Sequence, residues 1–444
     1  MAISIRQIKK PALYLFSLIL LFVSTVFIIN TPLFDEELEP ELKKILQPVK
    51  EIAPQTNAYI ALMGLPAADE KAIIEVGQQL TARYLHNRDK LHQDELSAQD
   101  TQEILGGQDL DSSWRNQYTA CKARQETNCL NKIQAQILAK PMTNTRYAVM
   151  LQRYQQILEM QQFQELQSAT FASPTPQYVL PLSLAKIHLA QLALESDPLI
   201  FLTAVQKDMA FWRRVLSQST TLLSKMIATA AIWNDLGYLS DYLQNRKLST
   251  EHLALAQQLL TPLNQQELSV EPAMAGEFRG FASEYKQARQ AWWNNIGFQV
   301  NATLNSKYRT ISRTEFALSK LPAAQFAKSM SDDIYNLPSQ LTWSPASLYN
   351  YTGKLLLQLG TPTVIDYIAR IHDLNGMLSL VRLQLALTEV PRDEVEALVK
   401  ASAIKNPYTN QPMQWDKSKA TLQFTCLSKQ TVCQVKLAST TTQP

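Results

Sequence analysis

LIFLTAVQKDMAFWRRVLSQSTTLLSKMIATAAIWNDLGYLSDYL, residues 199–243, carries apolar side chains three and four positions apart along its whole length. That spacing lines one face of an α-helix. Ser196-Asp197-Pro198 just ahead is a helix start, a capping side chain followed by proline in the first turn. Gly237 is the only glycine inside the stretch, so it is one very long helix or two consecutive ones, with an apolar face wide enough to build a core. Shorter stretches of the same kind lie at 71–84, 146–166, 250–260, 271–296, 312–329, 348–359 and 363–387. They show no fixed-period repeat, which excludes a TPR-type solenoid. The expected fold is all-α.

Composition agrees. The 444 residues are 46% apolar and 18% charged, the balance of a globular chain. Only 11 glycines occur, where average usage would give about 31. Tight turns and phosphate loops need glycine's positive φ, so Rossmann, P-loop and β-rich architectures are excluded. Net charge is +3, with no dense basic block beyond the first ten residues, so nucleic acid is not an expected partner.

The N-terminus reads MAISIRQIKK, PALYLFSLILLFVSTVFIIN, TPLFDEELEPE. Residues 12–29 carry no charge, and at ~1.5 Å rise they cover roughly 27 Å, close to a hydrocarbon core. Arg6, Lys9 and Lys10 precede the run, while Asp35, Glu36, Glu37, Glu39 and Glu41 follow it. The length predicts a single-pass transmembrane helix, and the asymmetry puts its N-terminus in the cytoplasm and the body outside; a cleaved signal peptide is the alternative, disfavoured by the long apolar core and the lack of a small-x-small site. The expected division is a cytoplasmic tail (1–11), a transmembrane helix (12–30) and a juxtamembrane connector (31–56). A helical region (57–172), a main helical domain (173–400) and a C-terminal β-hairpin segment with its tail (401–444) follow.

An oxidising compartment favours disulfides. The four cysteines form two local pairs, Cys121/Cys129 and Cys426/Cys433, neither with C-x-x-C spacing nor a neighbouring histidine, so structural staples are expected. Alternation at Leu422, Phe424 and Cys426, then at Cys433, Val435 and Leu437, predicts a small β-hairpin closed by its own disulfide.

Several short motifs resemble one family: the N-terminal anchor, the Cys121/Cys129 pair, SKMIATAAIWNDL (224–236), NATLN (301–305), YNYTGKLLL (349–357) and NPYTNQPMQWD (406–416). The family is a group of uncharacterised single-pass envelope proteins of Gram-negative bacteria. The resemblance implies an inner-membrane location with the body in the periplasm, and no activity. Its closing segment usually carries Asp-Pro and a glycine before the second proline, where this chain has Asn406-Pro407 and Gln411.

Candidate chemistry is sparse. Asp208, Arg213 and Lys225 punctuate the long apolar stretch, and Glu277 and Arg279 sit in AMAGEFRG. Glu277 is the weak catalytic candidate, because a buried glutamate with a raised pKa acts as a general acid; ion pairing between helices is the commoner role. The 5 histidines are scattered, so neither a metal nor any other cofactor is expected. Adjacent Trp292 and Trp293 cannot both face inward on one helix, so one is expected in a groove or interface, with Arg279 as a binding neighbour. The leading expectation is an accessory or scaffold protein binding the inner membrane and other envelope components, and the sequence does not set its oligomeric state. The alternatives are a membrane-tethered periplasmic hydrolase acting on cell-wall or lipid material, or a binder of a small apolar ligand.

Overall fold

A computed structural model describes residues 5–87, 103–104, 113–118, 121–166, 173–246, 248–288, 297–331, 348–359, 364–429 and 431–438. Its principal helices are α1 (Ile5–Ile29), α2 (Ala58–Gly64), α3 (Ile73–Asn87), α4 (Cys129–Ala139), α5 (Thr145–Leu158) and α6 (Val179–Leu192). The series continues with α7 (Pro198–Gln218), α8 (Leu222–Asn245), α9 (Glu271–Ala288), α10 (Val300–Ile311), α11 (Tyr351–Leu359) and α12 (Ile365–Ala386). The chain forms two compact units. One holds Met1–Pro48, Phe278–Ala317 and Ile334–Thr363; the other holds Val49–Glu277, Leu318–Asp333 and Val364–Pro444.

The second and larger unit is built on the quoted stretch, which is two helices. Asp197 caps α7 by accepting the Leu199 N–H; Ser219 ends it, and Thr221 caps α8 by accepting the Ser224 N–H. Two β-branched threonines at the join favour extended backbone and caps over helix interior. α8 lies against α4, α7 and α12, and is buried on several sides through Ala228, Ile232, Trp233, Leu236, Leu239 and Leu243. Phe201, Leu202, Val205, Trp212 and Leu216 of α7 complete this core. A Cβ on Gly276 of α9 would stand 1.7 Å from the Thr220 carbonyl oxygen, so only glycine lets α9 approach the join this closely.

The region expected to be helical over 146–166 stops at Leu158. Beyond it Gln162 forms a parallel bridge with Asn57, and Ala58 N–H donates to the Gln162 carbonyl. The expected C-terminal hairpin is present, with the Cys426–Cys433 disulfide between its two strands, and a third strand joins it. Strands β1 (Gln414–Asp416), β2 (Thr421–Gln423) and β3 (Gln434–Lys436) form a three-stranded antiparallel sheet in the order β1-β2-β3. Trp415 pairs with Leu422 and Leu422 with Val435. Gln384 of α12 fixes this sheet, donating to the Ser240 and Lys436 carbonyls at 3.0 and 2.8 Å.

The first unit contains α1, α10 and α11. The expectation of a transmembrane helix over 12–30 is corrected: among the described residues no helix is long and apolar enough to cross a membrane. What the structure shows is a 25-residue helix with exposed side chains on every side, among them Leu13, Phe16, Leu18, Leu21, Phe22 and Phe27.

Candidate functional site

The end of α1 enters a buried polar knot. Asn30 is 3% exposed; its amide donates to the Val26 and Leu348 carbonyls, and its Oδ1 accepts the Asn350 N–H at 2.9 Å. Asn350 adopts φ 53°, a left-handed conformation that asparagine tolerates, and its own Oδ1 accepts the Gln299 N–H at 2.8 Å. Thr303 closes the ring, accepting from the Asn350 amide and donating to the Gln299 carbonyl. A Cβ on Gly353 would lie 2.0 Å from Thr303 Oγ1.

The acidic connector after α1 packs on α10. No side chain of its own caps this helix, and Asp35 does so instead, accepting the Asn301 and Ala302 N–H groups at 3.1 and 3.0 Å. A carboxylate there meets both the orphan donors and the positive end of the helix dipole. Asn301, Asn305 and Arg309, four apart on one face, bind the chain of Glu36, Glu37 and Glu39. Motifs NATLN and YNYTGKLLL, far apart in sequence, therefore meet here.

In the second unit, carboxylates occupy two sites on the α7–α8 pair. At the join, Glu165 accepts the Thr220 and Thr221 N–H groups at 2.5 and 2.8 Å. It also accepts the hydroxyls of Thr220, Thr221 and Ser224. Glu277, the sequence's weak catalytic candidate, accepts the Leu222 N–H at 3.0 Å beside it. Arg213 forms a two-pronged pair with Glu267, at 2.6 and 2.8 Å, and donates to the Thr261 and Pro262 carbonyls. Lys225, 1% exposed, donates to the Leu216 and Glu267 carbonyls; burial lowers its pKa to about 7, opposed by the charge of Glu267.

The second carboxylate site, midway along the helices, is different. Asp208 of α7 and Asp235 of α8 are each 2% exposed and close enough for each to act on the other's titration. Tyr154 of α5 donates its hydroxyl to Asp208 Oδ1 at 2.6 Å and accepts the Trp212 indole N–H at 3.0 Å. No other group donates to Oδ2 of either aspartate. Burial raises Asp208 to about 7, against the pull of the Tyr154, Asp235 and Trp212 hydrogen bonds. Burial raises Asp235 too, and the neighbouring Asp208 charge pushes it further. Both carboxyls are thus pushed towards the neutral form, by burial first and by their proximity to one another.

Two spaces meet at Asp208. An inner cavity of about 10 Å³ is bordered by Asp208, Asp235, Asn234, Lys186 and Tyr238, and the buried Tyr238 hydroxyl has no partner there. An outer cleft of about 260 Å³ has Tyr154, His188, Lys207 and Asp208 among apolar Leu158, Leu189 and Ala204.

Both cysteine pairs are disulfides, Cys121–Cys129 and Cys426–Cys433. Asp241 of α8 accepts the Asn128 and Leu130 N–H groups beside the first. Asp373 of α12, fully buried, accepts the Leu427 and Ser428 N–H groups and the Tyr408 hydroxyl beside the second. Asp373 lies close to Cys426 and Cys433, whose sulfurs are bonded to each other and not free for a metal. The His372 ring lies tilted against Phe326, centroids 4.8 Å apart, and burial lowers its pKa to about 4.

Of the other residues singled out in the sequence, Arg279 donates to the Ile45 carbonyl at 2.9 Å. Trp292 and Trp293 lie outside the described residues. Asp208 was visible in sequence as a charge in an apolar run. Asp235, in the quoted IWNDL segment, carried no separate signal, because its partner is on another helix. Compared with known proteins, the chain matches no family model, no curated protein and no solved structure.

Proposed function

We propose that the protein is an accessory protein of the bacterial cell envelope, located at the inner membrane on its periplasmic side, where α1 docks on an apolar surface and the body binds other envelope components. The observation that carries this reading is α1 itself. Side chains from Leu13 to Phe27 are exposed all round the helix, and such a helix needs apolar surroundings. Asn30, just past its end, ties it to Leu348 and Asn350 of the same unit. The two disulfides fit an oxidising compartment.

Two experiments test this. Flotation of the full chain with liposomes should carry it to the lipid fraction. Replacing Leu18, Leu21 and Phe22 with glutamine should leave it at the bottom of the gradient, and unaltered flotation of that variant would defeat the docking role. In-cell cross-linking followed by purification of the full chain should recover the same partner in stoichiometric amount. A clean monomer would defeat the accessory role.

A further inference from the structure

Two pairs of guanidiniums in the larger unit lie near enough to repel one another, and the protein treats them differently. Arg146 and Arg153 of α5 face the loop after α2. Arg146 pairs with Asp69 and donates to the Pro66 and Ala67 carbonyls. Arg153 donates to the carbonyls of Ala67, Ala68, Asp69 and Lys71. A carboxylate and a ring of carbonyl oxygens thus balance that pair. The second pair, Arg124 and Arg370, meets where the two disulfide loops dock. The Val432 N–H donates to the Arg124 carbonyl at 2.9 Å, and the Arg124 guanidinium donates to the Thr431 hydroxyl at 3.2 Å. Arg370 stands on α12 one turn before Asp373, which accepts the Leu427 and Ser428 N–H groups of the same Cys426–Cys433 loop.

Among the described residues nothing neutralises this second pair. The one acceptor that the Arg124 guanidinium reaches is a hydroxyl. The Arg370 guanidinium lies over the Tyr367 ring at 5.4 Å and meets no hydrogen-bond acceptor and no carboxylate at ion-pair distance. Asp373 is spent on four donors, the Leu427 and Ser428 N–H groups and the Ser428 and Tyr408 hydroxyls. Glu126, in the loop that carries Arg124, is paired with Lys132 at 2.6 Å. Asp366, one turn before Arg370, is exposed to solvent. Lys429 adds a further exposed cation beside Ser428.

We propose that Arg124 and Arg370 bind a phosphate monoester, its oxygens bridging the two guanidiniums, with the Thr431 hydroxyl and Lys429 at its edge. A guanidinium presents its N–H groups as a planar fork that matches phosphate and carboxylate oxygens two at a time. Two forks need two charges and more than two oxygens, which a phosphate monoester dianion carries and a carboxylate does not. Both arginines are half-buried, so solvent ions screen them less than surface lysines. Each disulfide fixes one wall of the site before a ligand arrives, the first holding Arg124 and the second Thr431. The inference does not depend on where in the cell the protein sits.

The test is calorimetric titration of glycerol 3-phosphate into the full chain in a non-ionic detergent, at pH 7.5 and low salt. The expected result is saturable one-to-one binding that weakens as salt rises and as pH falls below about 6, where the ester takes up a proton. Acetate should bind more than about tenfold more weakly. Arg124→Gln and Arg370→Gln should each weaken the ester by a similar factor, Arg370→Lys by less, and Arg382→Gln, exposed further along α12, should change nothing. Should Arg124→Gln fail to fold, Arg370→Gln decides, because no hydrogen bond ties that guanidinium to the fold. Flotation separates the two sources of such an ester. A lipid headgroup gives more flotation on phosphatidylcholine vesicles containing phosphatidic acid than on phosphatidylcholine alone, a gain that Arg370→Gln abolishes; a free ester gives the titration without that gain. Absence of saturable binding, equal binding of acetate, or full affinity in folded Arg370→Gln would overturn the inference.

Discussion

The two carboxylate sites on the α7–α8 pair differ in one respect, the supply of donors. Glu165 at the join receives two backbone N–H groups and three hydroxyls, and Glu277 receives a third N–H from the same helix end. Asp208 and Asp235, more than two turns into the same helices, receive one phenol and act on each other's titration. A charge that satisfies a helix terminus is structure, because removing it strands the donors. A buried pair that its own protein leaves under-supplied costs stability, and such groups concentrate where something else binds or reacts. The comparison moves the chemical interest from Glu277, which the sequence put forward, to Asp235, which it did not.

Substitution at the join is the harshest way to break this contrast. Glu165→Ala leaves the Thr220 and Thr221 N–H groups without an acceptor, at about 1–3 kcal/mol each, so denaturant unfolding should show a loss of roughly 3 kcal/mol or more. An unchanged midpoint would mean that the join is not held by Glu165.

The pH dependence of stability is the next largest effect. Asp208 is raised to about 7 from an ordinary 3.8, so the folded chain binds the proton more tightly than the unfolded one. The stability this contributes is complete below about pH 4 and is lost as pH rises towards 7, at up to ~1.4 kcal/mol per unit. His372, lowered to about 4 from 6.5, works in the opposite direction between those values, with stability gained as pH rises. Unfolding of the wild-type chain and Asp235→Asn in parallel isolates the pair, since His372 is common to both. The wild type should lose stability relative to the variant between pH 4 and 7, and parallel curves would contradict the push towards the neutral form.

Opening Cys121–Cys129 sharpens the contrast at a third carboxylate. Its sequence separation of 8 gives about 2.5 kcal/mol in the loop-entropy model. Asp241 should keep α4 formed through the Asn128 and Leu130 N–H groups, so helix content should fall little on reduction. The smallest effect is Asp235→Asn at pH 8. Removing an under-supplied buried carboxyl should be neutral or stabilise by about 1 kcal/mol, the reverse of Glu165→Ala.

Helical periodicity made α7 and α8 legible, because apolar spacing records burial directly. The join at Ser219-Thr220-Thr221 was ambiguous, since threonine is tolerated in helices and its preference for a cap emerges only once Glu165 arrives from a distant segment. The same limit hid the site: residues 208 and 235 are neighbours only because two helices cross, and no local spacing encodes that. The quoted motifs behaved similarly. Asn301, Asn305, Asn350 and Gly353 looked like isolated family marks, and the structure shows them assembling one polar knot around Asn30 and Asp35. β1 went unread because its apolar alternation, Met413 and Trp415, stops at Lys417, whereas the runs around β2 and β3 extend over three positions each. The apolar run after Ala12 was plain in the sequence, yet among the described residues no helix is long and apolar enough to cross a membrane.

The most direct measurement is the infrared difference spectrum of the full chain near pH 7.5, in the carbonyl region that reports protonated carboxyl groups. The account predicts a protonated carboxyl band that disappears in Asp235→Asn and survives in a folded Glu277→Gln chain. No such band at neutral pH, or one that persists in Asp235→Asn, would show that burial does not hold Asp235 neutral and would remove the distinction between the two sites.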